Sequence, residues 1–236
     1  MRMLPTCAER EASIDGGELY ERVRGEMVTL VTSLDERQLS TVVDASPAWP
    51  VHDALAHVVG LTYDMNRSRF DVTPDEWTQR QVDERRTATI AEMVAEWDRE
   101  APGFEDGLRV FGYEFGSHYV ADLHAHMQDV RSALGLPPFD DEIVVRVALD
   151  FYLASLDETL REAGAGTVSV TVDGEHHVAG AGDPLVGVRA APFEMLRVLS
   201  ARRSRRQVVA LDWTGDLAGV IDILGRYPLP EADLVD

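Results

Sequence analysis

The spacing of the apolar residues changes once along this chain, close to residues 164–166 (GAG). Before that point apolar side chains recur every three or four residues, as at Leu19, Val23 and Met27, which predicts amphipathic helices. After it they alternate, as in residues 167–172 (TVSVTV), and the Asp-Gly pair that follows predicts a β-hairpin. The sequence therefore predicts a helical domain over residues 1–165 and a small α+β domain over residues 166–236.

The helical pattern can be divided into six segments. They are predicted at about residues 19–31, 51–67, 74–86, 87–101, 117–134 and 141–162, and the fourth is expected to end at Pro102 and Gly103. In the smaller domain a strand is predicted at 185–189, a helix at 192–199 and a strand at 207–213. The fold class predicted is mainly α, a helical bundle followed by a small α+β tail.

Composition excludes several functions. The 236 residues include 42 acidic and 22 basic side chains, a net charge of −20, and such a surface disfavours binding to nucleic acid. All the basic residues are arginine, so lysine Schiff-base chemistry and a P-loop lysine are excluded. The single cysteine, Cys7, excludes an internal disulfide.

The same sequence gives an expectation about location. No apolar run reaches the ~18 residues that a membrane span needs, and the first 17 residues lack the apolar centre of a signal peptide. We therefore expect no membrane association and a cytoplasmic location.

Histidine and aspartate recur at helical spacing in the fifth helix. His118, Asp122 and His126 are each four residues apart and lie on one face. His57 lies among apolar residues of the second helix, which directs it inward. If the two helices pack together, His57, Asp122 and His126 can bind one divalent metal and leave a coordination position open. The residues alone leave two alternatives open, a surface Asp–His pair and a hydrogen-bonded core histidine.

Three segments resemble the maleylpyruvate isomerase family of mycothiol-dependent enzymes. Residues 49–58 (WPVHDALAHV) and 122–135 (DLHAHMQDVRSALG) are similar to its two bundle signatures. Residues 188–197 (VRAAPFEMLR), with the later ARRS and WTGD segments, resemble its small C-terminal domain. These enzymes belong to the DinB-like superfamily, so the resemblance implies a DinB-like metal-binding four-helix bundle followed by a small α+β domain.

The resemblance also implies a set of metal ligands. Carried over by position, His57, Asp122 and His126 would hold a divalent metal, usually zinc. The family pattern has glutamate where this chain has Asp122, which is one methylene shorter. His118 is therefore a candidate substitute or fourth ligand, and as a fourth ligand it would fill the open position.

The implied activity is thiol chemistry. A low-molecular-weight thiol, mycothiol by resemblance, would be activated at the metal for isomerisation of a small electrophilic substrate or for thiol transfer to it. The alternative is a non-catalytic DinB-like protein that binds a metal or small ligand, and lipid carriage is a weaker third interpretation. The expected partners are the thiol and a small-molecule substrate, and the chain is expected to be a monomer or homodimer.

An arginine cluster lies in and around the helix predicted at 192–199. Six arginines and one acid lie between residues 189 and 206, which would suit a carboxylate-bearing substrate or thiol cofactor. Arg202 and Arg203 are the residues predicted to bind the cofactor. The alternatives are that these arginines complement the helix dipole or dock the tail onto acidic residues.

Four further residues of the two signatures receive structural interpretations. Asp129 is expected to stabilise the bundle rather than orient His126, and Trp49 to pack the start of its helix. His52 and His124 are expected to face solvent.

Overall fold

A computed structural model describes residues 7–236, and the side chain of Cys7 lies outside what it describes. The described chain divides into two compact units, one formed by residues 14–139 with Asp236 and the other by residues 7–13 with 140–235. We call them the bundle unit and the sheet unit. The last long helix lies in the sheet unit, whereas the predicted boundary at 165/166 follows that helix. That boundary stays a prediction.

Within residues 7–236, ten α-helices and six strands form the two units. The helices are α1 (Cys7–Ser13), α2 (Gly16–Thr32), α3 (Glu36–Leu39), α4 (Val51–Arg67), α5 (Pro74–Asp83), α6 (Ile90–Phe111), α7 (Tyr113–Ala133), α8 (Glu142–Ala163), α9 (Pro192–Leu199) and α10 (Arg205–Val209). The strands are β1 (Val42–Val43), β2 (Ser46–Pro50), β3 (Gly166–Val172), β4 (Glu175–Ala181), β5 (Pro184–Arg189) and β6 (Asp212–Gly215).

Four helices, α2, α4, α6 and α7, pack against one another in the bundle unit. The stripe predicted from Val23 and Met27 is fully buried on α2, and burial of such apolar area is the main source of stability. Trp97 of α6 is also fully buried, and its indole Nε1 donates a hydrogen bond to the Thr62 hydroxyl of α4 at 3.1 Å. The predicted fold class, a helical bundle followed by an α+β portion, is confirmed.

Helix α6 continues past Pro102, so the prediction that it ends there was wrong. The helix extends to Phe111, and Phe104 and Leu108 beyond the proline are 4% and 1% exposed. A proline inside a helix removes one backbone hydrogen bond. Burial of these two large side chains offsets that loss, because helical structure in proteins depends more on tertiary packing than on propensity.

The sheet unit contains a four-stranded sheet in the order β4-β3-β5-β6. Strand β3 pairs antiparallel with β4 and parallel with β5, and β6 pairs antiparallel with β5. Helix α8 packs against β4 and α9, and alternate β3 residues, Val168, Val170 and Val172, are fully buried. The predicted strand at 207–213 was wrong in part, because a capping box at Ser204 begins helix α10 and the strand starts only at Asp212.

A buried ion pair joins the first described helix to the sheet unit. The Arg10 guanidinium of α1 donates two hydrogen bonds of 2.7 Å to the Asp150 carboxylate of α8, and the two side chains are 1% and 5% exposed. Arg10 also lies 3.4 Å from Glu175 of β4. These contacts assign α1 to the sheet unit rather than to the bundle unit.

None of the helices within residues 7–236 combines the length and the apolar character that crossing a membrane requires.

Candidate metal centre

Helix α4 directs His57 into the bundle unit. Its neighbours Leu55, Val58 and Val59 are 0–2% exposed, and the histidine itself is 6% exposed. The short β1–β2 hairpin leads into the helix, which starts at Val51 immediately after β2. His57 therefore lies on the buried side of α4, as its apolar neighbours predict.

Helix α7 supplies Asp122 and His126 one turn apart. The Nε2 atom of His126 lies 3.7 Å from the Oδ1 atom of Asp122, and their side chains are 11% and 30% exposed. The His57 and His126 rings meet edge to face, with centroids 4.7 Å apart. One ligand atom from each of the three residues lies within 4.8 Å of the other two. The structure thus brings together the three residues that the sequence predicts as ligands.

Gln81 of α5 forms a hydrogen bond with His57. The His57 Nδ1 and Gln81 Oε1 atoms are 2.8 Å apart, and Gln81 is fully buried. A carbonyl oxygen accepts hydrogen bonds, so His57 Nδ1 carries the proton. The lone pair of His57 is then on Nε2, the nitrogen that remains for a metal.

The electrostatics of His57 agree with a ligand role. The pKa of His57 is lowered to about 4. Burial is the largest cause and the neighbouring His126 adds to it, whereas Asp122 and the Gln81 hydrogen bond raise the pKa. The His57 imidazole is therefore neutral near pH 7, the form that coordinates metals.

The three donors fit a divalent metal. Zinc binds histidine nitrogen and carboxylate oxygen at ~2.0–2.2 Å in tetrahedral geometry, so two of its ligand atoms lie about 3.3–3.6 Å apart. His126 Nε2 and Asp122 Oδ1 are already 3.7 Å apart, and the 4.8 Å limit of the whole group requires the widest pair to approach by about 1 Å, which the partly exposed Asp122 side chain permits. Three protein ligands leave at least one position open, as in catalytic zinc sites.

Trp49 forms one wall of this cluster. Its ring lies 5.1 Å from the His57 ring and 6.2 Å from the His126 ring, centroid to centroid. Trp49 is the residue before Pro50, at the end of β2. The expectation that it packs the start of α4 missed these contacts, which bring it against both histidines.

Two other histidines of α7 lie outside the cluster. His118 stacks on Tyr119, with centroids 4.8 Å apart, and the only candidate metal group within residues 7–236 does not include it. The expectation that His124 faces solvent was wrong. Its side chain is 1% exposed, and its Nε2 lies 2.9 Å from the Phe139 carbonyl oxygen.

His52 and Asp129 are two further residues whose surroundings the sequence predicts. His52 is half-buried, with Nδ1 2.9 Å from Asp53 and Nε2 2.9 Å from the carbonyl oxygen of Ala88, so its expected solvent-facing position was also wrong. Asp129 is 2% exposed, which is compatible with the predicted role of stabilising the bundle.

Arg202 and Arg203 have partners within the sheet unit. Arg203 donates hydrogen bonds of 2.7 and 2.8 Å to Glu194 and is 6% exposed, and Arg202 donates one of 2.7 Å to the Ser200 carbonyl oxygen. Their assignment to cofactor binding stays a prediction. Binding a carboxylate through Arg203 would require exchange with Glu194.

Sequence reasoning missed Gln81. The clue that the sequence offers is that Gln81 directly precedes Val82, and both are buried where α5 packs against α4. A buried glutamine needs hydrogen-bond partners, but the sequence does not show that His57 is one of them.

Comparison with solved structures finds the same fold in known enzymes. The chain superposes on the crystal structure of the mycothiol-dependent maleylpyruvate isomerase with a TM-score of 0.59 and 14% identity, covering 84% of this chain and 91% of that one. A histidine-to-alanine mutant of that isomerase matches with a TM-score of 0.58 and 13% identity over the same shares. No model of a known protein family and no curated protein matches the sequence. The chain therefore has a fold similar to that of the mycothiol-dependent maleylpyruvate isomerase.

Proposed function

We propose that this protein is a metal- and thiol-dependent enzyme acting on a small electrophilic substrate. The observation that carries the proposal is the convergence of His57, Asp122 and His126 within 4.8 Å. The similar solved structures are of an isomerase described as mycothiol-dependent, which supports mycothiol as the thiol. Zinc is the proposed metal because two imidazoles and one carboxylate suit it.

Each residue of the cluster has a distinct task. His57 and His126 would hold the metal through neutral imidazoles, and Asp122 would add a negative charge that strengthens binding. Trp49 covers the two histidines from one side. Asp122 is the most exposed of the three ligands at 30%, so a thiol would approach beside it.

The metal, when bound, would supply a positive charge that favours the deprotonated form of a nearby thiol. The protein then needs no cysteine nucleophile, which agrees with a chain whose single cysteine is Cys7. Two reaction classes differ in the fate of the thiol. An isomerase releases it unchanged after the double bond has rotated, whereas a transferase leaves it attached to the product.

Metal analysis tests the site directly. We expect about one zinc ion per chain in wild-type protein loaded with zinc and dialysed, and strong loss of zinc in the His57→Ala, Asp122→Ala and His126→Ala variants. His52→Ala is the matched control, because His52 lies on the same helix outside the cluster. Wild-type protein without zinc, or a His57→Ala variant with unchanged zinc content, would show that the assigned site is wrong.

A mycothiol titration separates the enzyme from a non-catalytic metal-binding protein. We expect the thermal midpoint of the zinc-loaded protein to rise with mycothiol, because a ligand that binds only the folded state stabilises it. The Asp122→Ala variant should show no such rise. Zinc binding without any response to the thiol would instead favour the non-catalytic alternative.

Arg202 and Arg203 remain the proposed contacts for the thiol cofactor, whose hydroxyl and amide oxygens their guanidinium N–H groups would bind as donors. Arg202→Gln and Arg203→Gln should weaken mycothiol binding and leave the zinc content unchanged. Because Arg203 is paired with Glu194, its variant needs a Glu194→Gln control, which separates loss of the ion pair from loss of ligand binding.

A further inference from the structure

A chain of buried polar side chains leads from His57 to two arginines. After the His57–Gln81 hydrogen bond, Gln81 Nε2 donates to Asp64 Oδ2 at 3.3 Å. The other Asp64 oxygen, Oδ1, lies 2.9 Å from the Arg69 guanidinium, and Arg80 lies 3.7 Å from Oδ2. Gln81 and Asp64 are 0% and 1% exposed, so solvent does not compete for these contacts.

The direction of each hydrogen bond follows from this order. A carboxylate paired with arginine can only accept hydrogen bonds, so Gln81 must turn its amide NH₂ toward Asp64. The side-chain oxygen of Gln81, Oε1, then faces His57, and His57 must donate from Nδ1. The charge of Asp64 thereby determines which His57 nitrogen has a free lone pair.

A glycine on α4 makes room for this arrangement. A Cβ atom on Gly60 would lie 2.6 Å from the Cβ and 2.9 Å from the Cγ of Gln81. Gly60 follows His57 by one helical turn, so the absence of a side chain lets Gln81 lie against α4 and reach the imidazole. Arg85 donates from Nη1 to the backbone carbonyl oxygen of Gln81 at 3.0 Å, which fixes the backbone of Gln81.

We propose that Gln81 and Asp64 are positioning residues that hold His57 in the Nδ1–H tautomer and so reserve Nε2 for a metal ion. The inference rests on the proposed function for its purpose, but the tautomer itself is a property of the metal-free protein. Hydrogen bonds from a ligand histidine to a polar partner commonly set ring orientation, and their loss costs about 10–100-fold in metal affinity.

The first test is the tautomer of His57 in metal-free protein, read from long-range ¹H–¹⁵N spectra at neutral pH. We expect the Nδ1–H form in the wild type. Gln81→Leu removes the acceptor and should give a mixture of tautomers. Gln79→Leu is the matched control, because Gln79 is an exposed glutamine on the same helix whose side chain contacts Asp83.

Asp64→Asn is the sharper variant, because it changes charge at almost constant shape. The asparagine oxygen is expected to face Arg69, which directs its NH₂ toward Gln81. The Gln81 amide would then flip and donate to His57, which would favour the Nε2–H tautomer. This variant also keeps the test valid if Gln81→Leu does not fold.

Zinc affinity, measured by competition with a chromophoric chelator, gives the second readout. We expect Gln81→Leu and Asp64→Asn to weaken zinc binding 10–100-fold and Gln79→Leu to leave it unchanged. An Nε2–H tautomer in the wild type, or variants that keep both the wild-type tautomer and the wild-type zinc affinity, would overturn the inference. A wild-type protein that binds no zinc would refute the proposed function, while the tautomer spectra would still decide the role of Gln81.

Discussion

His126 and Asp122 present a nitrogen and an oxygen 3.7 Å apart on one face of α7, one helical turn from each other. The helix backbone fixes this spacing, and α4 brings His57 to the same point from a separate part of the chain. Two of the three proposed ligands are therefore held by local structure, while the third depends on the packing of the bundle.

The length and charge of the Asp122 side chain can be tested separately. Asp122→Glu lengthens the side chain by one methylene and should retain zinc, because the carboxylate is kept. Asp122→Asn removes the charge and should weaken zinc binding at least 10-fold, measured by chelator competition. Glu114→Gln, an exposed change in the first turn of the same helix, is the control. Equal affinities for Asp122→Asn and wild type would remove Asp122 from the ligand set.

The continuation of α6 beyond Pro102 predicts a large effect at Leu108. Leu108→Ala should lower the free energy of unfolding of the metal-free protein by about 2–5 kcal/mol, because the substitution leaves a cavity in the bundle. Val110→Ala changes a side chain that is 80% exposed and should alter the free energy of unfolding by less than about 0.5 kcal/mol. Urea unfolding measures the free energy of both variants. If Leu108→Ala had as small an effect as Val110→Ala, the segment after Pro102 would not be packed.

The ion pair between Glu100 and Arg67 predicts a pH dependence. The hydrogen bonds from Arg67 are the main cause that lowers the pKa of Glu100 to about 2, from 4.5. The unfolded chain therefore binds more protons between these values, so the stabilisation is present above about pH 4.5 and is lost as the pH falls toward 2.

Glu100→Gln tests this dependence. Arg67 is 41% exposed, so solvent screening reduces the expected contribution to about 1–2 kcal/mol. The difference in unfolding free energy between the wild type and the variant should shrink by more than half of that amount between pH 6 and pH 3, and the rest should be lost as the pH approaches 2. Glu114→Gln serves as the exposed control. A difference independent of pH would show that the ion pair does not stabilise the bundle unit.

The Arg10–Asp150 pair predicts strong destabilisation of the sheet unit. Arg10→Met should cost about 3–5 kcal/mol, because it leaves the Asp150 carboxylate buried without its main partner. The Arg10→Met/Asp150→Leu double variant should recover part of that loss, since it removes both charges. Calorimetry can resolve the two units if they unfold separately. A double variant less stable than Arg10→Met would contradict this account.

Local patterns predicted most of the secondary structure. The apolar period placed α4 and α8 within a residue or two of their observed ends, because each helix has a clear buried stripe and a clear start or stop. The pattern failed at Pro102 and at residues 205–209. At the first, burial of Phe104 and Leu108 outweighs the proline. At the second, the Ser204 capping box begins a short helix.

The candidate site was predictable to the extent that it is local. Helical spacing placed Asp122 and His126 on one face, and the apolar neighbours of His57 indicated its burial. The hydrogen bonds of His124 and Gln81 to partners far along the chain were not predictable, because they depend on loop and helix positions that no local period encodes.

The ion pair that assigns α1 to the sheet unit has a consequence for biosynthesis. Arg10 leaves the ribosome before residues 14–139 of the bundle unit, whereas its partners on α8 and β4 leave after them. Residues 14–139 are continuous in sequence and can form their contacts as they emerge. The sheet unit is built from two separate stretches of the chain, and its first helix cannot acquire its native neighbours until α8 and β4 have been translated.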